Sequence, residues 1–281
     1  MSTPSPQEVI SYLLPYLATA GTYSARIQGQ VGVHDAKDGD TPFHHALSDA
    51  DLTIQAFLEV VLLARFPQLR FYSEEQDRSL NKRYFAGTAE LEVLLDPIDG
   101  TRPYIDNRTN YQIIVTLHNE REITGAICYM PRRDRCYVAS KGNGAYELNH
   151  NDVVTGSPGK RLSLNSASGP ILLFNSPVLV RRLSGVMETI DLVDAYTERP
   201  GEFDPTDILS GKAAAVVHQS CQAIDGGAIA FIATEAGAIM TDFAGNPPVS
   251  FRTSEKRTIP EIVVSTNKAI HDRILRALAA P

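Results

Sequence analysis

Residues Leu91–Thr101 read LEVLLDPIDGT. A run of apolar, β-favouring residues ends in two aspartates, Asp96 and Asp99, separated by Pro97 and Ile98 and followed by Gly100 and Thr101. A strand that stops at a Pro and Gly turn delivers both carboxylates to one sheet edge, with the backbone carbonyl of Ile98 between them. Carboxylates and a carbonyl are hard oxygen donors, the set Mg²⁺ prefers. Backbone N–H groups at Gly100 and Thr101 suit an anion, as turn amides often do. Taken alone, Asp-Pro and Asp-Gly are also ordinary turn chemistry, so the rest of the chain must decide.

The 281 residues suffice for one large domain or two smaller ones. Hydrophobic residues make up 43%, and the formal net charge is −7. That charge argues against binding a nucleic-acid polymer, which needs a basic surface. No apolar run reaches the length of a membrane span, and the first residues lack the basic and apolar regions of a signal peptide. Cys128, Cys136 and Cys221 form no CxxC pair. They read as reduced thiols of a cytoplasmic protein.

Apolar residues recur at helical spacing from about Pro6 to Val31. A polar loop, 34–45, follows. A second helix is expected over Ser48–Phe66, with Ser48 as N-cap and Asp51 as its capping partner. Leu69–Ser73 reads as a strand leading to Glu74 and Glu75. After the DPIDGT turn, strands are expected at Tyr111–His118, Glu122–Met130, Arg135–Ser140 and Ala145–Leu148, the last two joined by a Gly142-Asn143-Gly144 turn. Composition shifts to Gly, Ser, Asn and Pro over 149–169, which divides the chain into an N-terminal half, 1–150, and a C-terminal half, 151–281. Beyond it, Pro170–Asn175 reads as a strand and Val178–Val186 as a helix. Asp204-Pro205-Thr206-Asp207 is a helix start, with the helix expected to reach Gly211 or Lys212. Asp225–Ala236 is a small, apolar and therefore buried helix. Strand Ile262–Ser265 and helix Lys268–Ala279 close the chain. Mixed strands and helices with grouped strands predict a layered α/β architecture.

Several acidic residues sit where a solvated surface does not explain them: Asp51 at a helix start, Glu74 and Glu75 after a strand, Asp96 and Asp99 at a strand end, and Asp225 opening an apolar helix. Their order resembles the inositol monophosphatase superfamily. The motifs that carry the resemblance are LSDADL at 47–52, SEEQ at 73–76, DPIDGT at 96–101, the 125–148 strand–hairpin–strand unit, DGGAIAFIATEAG at 225–237 and TDFAGNP at 241–247. They span nearly the whole chain.

The resemblance implies an α/β (α+β) fold, a layered αβαβα sandwich. It implies a Mg²⁺-dependent, lithium-sensitive phosphomonoesterase with two or three ions per site, acting on a small soluble phosphate ester, usually as a homodimer. Residue by residue, Glu74, Asp96 and the carbonyl of Ile98 match the first metal site. Asp96, Asp99 and Asp225 match the second. Glu74 also leans toward a third, weaker ion. Asp51 and Thr101 match the pair that orients or deprotonates the attacking water, with Glu74 beside them, and Gly100 and Thr101 match the phosphate-binding amides.

The substrate side departs from the family pattern. Ile224 stands where Trp is usual, and His218 stands where inositol monophosphatases place a Glu that holds substrate hydroxyls. Arg102-Pro103-Tyr104 follows DPIDGT in place of T-N-F. His218, Arg102, Glu202 and Asp204 are therefore the candidates for meeting the alcohol portion. Glu202, Asp204 and Asp207 would repel a second phosphate and suit hydroxyls or an amine. A 3′(2′),5′-bisphosphate nucleotidase and a histidinol-phosphate phosphatase remain as alternatives, as does a binding protein that kept the fold without turnover.

Overall fold

The computed structural model describes residues 3–32, 47–165, 168–247 and 257–279; the polar loop expected over 34–45 lies outside them. The first helix, α1 (Pro6–Ile27), starts on Ser5, whose hydroxyl accepts from the Glu8 amide while the Glu8 carboxylate accepts from the Ser5 amide. It stops four residues before the expected Val31. Gln28 leaves helical geometry, and its side-chain amide donates to the carbonyls of Tyr104 and Arg108. Helix α2 (Asp49–Arg65) starts at the expected N-cap, Ser48.

The chain then forms a seven-stranded sheet in sequence order. Its strands are β1 (Arg70–Ser73), β2 (Glu92–Asp99), β3 (Gln112–His118), β4 (Ile123–Met130), β5 (Arg135–Ser140), β6 (Gly144–Leu148) and β7 (Lys160–Arg161). Only β1 and β2 are parallel; every later pairing in this sheet is antiparallel. Two short helices interrupt it, α3 (Thr101–Ile105) after β2 and α4 (His150–Thr155) after β6. Strand β7 falls inside the Gly- and Ser-rich stretch and still pairs with β6.

A second, five-stranded sheet takes β8 (Ile171–Leu173), β9 (Thr189–Asp191), β10 (Ala215–His218), β12 (Ile239–Thr241) and β14 (Ile262–Ser265), in the order β12-β14-β10-β8-β9. The short strands β11 (Cys221–Gln222) and β13 (Thr258–Ile259) pair separately. Its helices are α5 (Pro177–Leu183), α6 (Leu192–Glu198), α7 (Gly226–Glu235) and α8 (Lys268–Ala279).

Side-chain alternation sets the layers, because successive residues on a strand face opposite sides. Val93, Leu95, Ile113 and Val115 face α1 and α2 in one core. Ile114, Ala126, Cys128 and Tyr137, on the reverse face, meet α7 together with Leu172, Val216 and Val264 of the second sheet. Ile171, Leu173, Val217 and Val263 then face α5 and α8 in a third core. The result is the expected αβαβα sandwich, with α7 covered on both sides, which explains its apolar composition. Gly21 lets α1 approach β4, since a Cβ there would overlap the Tyr129 ring.

Two expectations are corrected. No helix runs from Asp204 to Gly211; a single 3₁₀ turn, Pro205–Ile208, ends where Lys212 and Ala213 turn back to donate to the Asp207 carbonyl. The segment Thr189–Glu198, unassigned in the sequence, forms β9 and α6, with Asp191 accepting from the Val193 amide as N-cap.

Helix α2 carries one unusual core residue. Glu59 is fully buried, and neither carboxylate oxygen has a hydrogen-bond partner. Burying such a group without partners costs stability. Glu59→Leu is therefore expected to stabilise the protein by about 1–3 kcal/mol, read as a higher denaturation midpoint at unchanged slope; a lower midpoint would show that the carboxyl has a compensating role.

Candidate active site

Strand β2 places the site. Pairing with β3 shifts register between Asp96 and Asp99, which releases the strand from regular alternation and lets both aspartates, with Ile98, line one cavity. Gly100 then turns the chain into α3 at φ +86°, a left-handed conformation natural to glycine. A Cβ there would also stand 3.1 Å from the Asn110 carbonyl oxygen. Glu74, whose amide donates to the Leu95 carbonyl at 3.0 Å, reaches the same cavity from the end of β1. Asp225 reaches it from the start of α7, where its carboxylate caps the Gly226 amide.

The cavity is about 420 Å³ and holds Glu74, Asp96, Ile98, Asp99, Gly100, Thr101, Arg102, Asp204 and Asp225 on its wall. Burial lifts Asp96 well above the usual carboxylate range, reinforced by the charges of Glu74, Asp99 and Asp225. Burial likewise raises Asp99, against a hydrogen bond from Gln112 that lowers it. Asp225 is pushed up to about 7, by burial first and the Asp99 charge second. Among the described residues no three of these side chains close into a compact cage; like charges spread along the walls instead. One oxygen, Asp96 Oδ1, is buried without a hydrogen-bond partner. An all-oxygen donor set with an unpaired carboxylate oxygen fits a hard divalent cation such as Mg²⁺.

Asp51 lies just behind this wall and is fully buried. Its Oδ2 accepts from the Ser48 amide at 2.9 Å and the Ser48 hydroxyl at 2.6 Å. Its Oδ1 lies 3.2 Å from Thr101 Oγ1, which also reaches the Ile98 carbonyl at 2.9 Å. Burial raises Asp51 to about 6, partly offset by the Ser48 hydrogen bonds.

The candidates for the alcohol portion separate. Arg102 and Asp204 line the cavity. His218 lines a different, small cavity with Pro205, Ile208 and Gly226, and burial lowers it to about 4. Glu202 is exposed, outside the lining, and paired with Arg199. Ile224 is buried against Leu94. Sequence reasoning missed Gln112, which holds Asp99, and the wall formed by Met130, Phe174, Leu192, Tyr196 and Phe203. The Asp191 N-cap after a short β-favouring run was the available signal for the α6 part of that wall.

Comparison with known proteins bears on the whole chain. A model of the inositol monophosphatase family matches residues 7–280. The putative Nus factor SuhB of Neisseria meningitidis serogroup B is 27% identical over 257 residues, covering 82% of this chain and 88% of the relative. The crystal structure of the extragenic suppressor protein SuhB from Bartonella henselae superposes with a TM-score of 0.71 at 18% identity, covering 97% and 98% of the two chains. An IMPase/NADP phosphatase complexed with Mg²⁺ and phosphate superposes with a TM-score of 0.67 at 19% identity, covering 98% and 96%.

The raised carboxylates give a pH prediction for the cation-free protein. Asp51 and Asp225 bind protons more tightly when folded than at the ordinary 3.8. Their contribution to stability is therefore full below about 4 and is lost as pH rises through about 6 and 7. Melting in chelator should occur at lower temperature at pH 8 than at pH 5. Asp225→Asn should raise the melting temperature at pH 8 and shrink that difference; an unchanged pH profile would remove Asp225 from the strained set.

Proposed function

This chain belongs to the inositol monophosphatase family, and we propose that it is a Mg²⁺-dependent phosphomonoesterase acting on a small phosphate ester. The observation that carries the reading is the meeting of Glu74, Asp96, Asp99 and Asp225, from three separate segments, in one cavity. The arginine on that wall, Arg102, is committed to Asp106. Such a charge set is stable only with cations or protons in it.

In this reading Glu74, Asp96 and the Ile98 carbonyl would hold one Mg²⁺. Asp96, Asp99 and Asp225 would hold a second, and Glu74 would contribute to a weaker third. When bound, Mg²⁺ supplies Lewis acidity that strengthens water as a nucleophile and neutralises charge on the phosphoryl and leaving oxygens. The Gly100 and Thr101 amides would meet the phosphoryl oxygens, with Gly100 shared with the Asp99 carboxylate. Thr101 Oγ1 accepts a proton from the attacking water and passes its own to Asp51 Oδ1. Ser48 occupies the other Asp51 oxygen, so Oδ1 is the free acceptor. With Asp51 near 6 the carboxylate is ionised at neutral pH and close enough in basicity to take the proton. Water forms a new P–O bond and the ester P–O bond breaks; the departing alkoxide takes a proton from solvent water and leaves as the alcohol, inorganic phosphate follows, and Asp51 returns its proton to solvent.

Two further features belong to the same reading: a homodimer and a cytoplasmic location. No helix among the described residues is long and apolar enough to cross a membrane. The alternative, a binding protein on the same fold, draws on the relative named as a putative Nus factor.

Chelation should abolish phosphate release from a phosphomonoester panel, and added Mg²⁺ should restore it. Asp96→Asn should lower turnover at least about a hundredfold, and lithium should inhibit, less so in Asp225 variants. Near-wild-type turnover in Asp96→Asn would sink the two-ion reading; a folded protein that hydrolyses nothing would favour the binding alternative.

A further inference from the structure

The phosphate end of the cavity is crowded with polar groups, but among the described residues most polar side chains along the remainder of its wall are already engaged. The Tyr196 hydroxyl donates to Asp106, which also takes Arg102 through contacts of 3.1 and 3.0 Å. Asp204 accepts from the Thr206 amide at 2.9 Å and from Arg133. Gln112 donates to Asp99 and accepts from Cys128. Asn110 also lines the cavity, and its buried Oδ1 has no hydrogen-bond partner among the described residues. Beyond that oxygen, what is left for an alcohol portion is the side chains of Met130, Phe174, Leu192 and Phe203 and the ring of Tyr196.

Two of these three rings, Tyr196 and Phe203, are also held in place. The Arg108 guanidinium lies 3.7 Å from the Tyr196 ring centre and donates to the Tyr196 carbonyl at 2.8 Å. Arg199 and Lys212 stand 4.6 and 4.3 Å from the Phe203 ring centre. These cations are in turn neutralised, Arg199 by Glu202 and Lys212 by Asp207. Cation–ring contacts of this kind fix a ring's position.

We infer that the ester taken by this site carries a planar aromatic group, and neither a polyol nor a second phosphate. The inference rests on the phosphomonoesterase reading and names its substrate class. Among the described residues the side chains on this part of the wall are mostly apolar or already hydrogen-bonded, with Asn110 Oδ1 the exception, so a polyol would bury several hydroxyls without partners, and each such hydroxyl costs binding. A second phosphate would meet, among the described residues, one wall arginine, Arg102, which Asp106 already holds. A flat apolar ring loses no hydrogen bond there and packs on fixed aromatic side chains. The carboxylates that suggested hydroxyls or an amine do not serve that purpose: Glu202 lies outside the wall, and Asp204 is spent on its cap and on Arg133.

The test compares kcat/KM of the Mg²⁺-loaded full chain for 2-phenylethyl phosphate, glycerol 2-phosphate and 3′-phosphoadenosine 5′-phosphate. At least a tenfold preference for 2-phenylethyl phosphate over each of the others is expected. Phe203→Ala should reduce its preference over glycerol 2-phosphate to below about threefold, Phe203→Leu should fall between, and Glu202→Gln should keep it. Equal or better use of the glycerol ester or the bisphosphate overturns the inference, as does a preference that survives Phe203→Ala in a folded variant. If no ester is hydrolysed, calorimetry with Mg²⁺ and 2-phenylethylphosphonate against methylphosphonate separates the two claims. Tighter, Phe203-dependent binding of the aromatic phosphonate upholds the ligand class and removes the hydrolytic reading. Equal binding overturns the ligand class as well.

Discussion

Mutual repulsion among carboxylates gathered around the buried Asp96 is the constraint around which this molecule is arranged. Asp96 feels Glu74, Asp99 and Asp225 at once, in a place where burial already disfavours its charge. Stability and binding capacity are therefore in opposition at the same residues. Protons or cations must relieve the strain, and an oxygen-only donor set favours a hard divalent ion for that task. The irregular end of β2 and the left-handed turn at Gly100 bring this crowding about, because a regular strand would send alternate side chains to opposite faces.

The sandwich supplies the rigidity that holds such a strained group together. Asp225 opens a helix covered on both sides by sheet, so its position is set by the core between the two sheets and not by a surface loop. The far end of the same helix is tied as well. The Glu235 carboxylate accepts from the Gly142 and Gly144 amides at 3.1 Å, fastening the β5–β6 turn to α7. The acidic residue ten positions after Asp225 thus anchors a hairpin, and the hairpin in turn fixes the helix that presents Asp225.

In the proposed reading, selectivity would come from a different physical source. Cations held by the carboxylate end would attract the phosphate group, which every phosphate ester shares. The wall formed by α6 and the 199–205 segment differs because its polar atoms are consumed by internal contacts. Asp106 is the hub: it takes Arg102 from α3 and Tyr196 from α6 and so welds the alcohol side of the cavity to the metal side. Arg102 and Asp204, the charged members of a wall otherwise made of Met130, Phe174, Leu192, Tyr196 and Phe203, are paired inside the fold, which leaves the apolar side chains to dominate it.

Local sequence was enough to locate the parts whose physics is local. The spacing of Val9, Leu13 and Leu17 in α1 and the Ser48–Asp51 start of α2 follow from helical periodicity and capping. The β-run ending at Asp96 and Asp99 and the apolar helix after Asp225 follow from strand and core patterning. Glu74, Asp96, Ile98, Asp99, Thr101 and Asp225 were named on motif and resemblance, and the fold brings all six to one cavity. Asp204-Pro205-Thr206-Asp207 looked like a helix start and formed a single turn, because Lys212 and Ala213 fold back on Asp207. His218 and Glu202 looked like substrate groups and lie off the wall, while Tyr196 and Phe203 stand on it. Which side chains meet the cavity, and which of their polar atoms are already bonded, depends on contacts between residues ninety positions apart, such as Tyr196 with Asp106. Periodicity and capping act over a few residues and hold no record of such pairings, so only tertiary structure decides them.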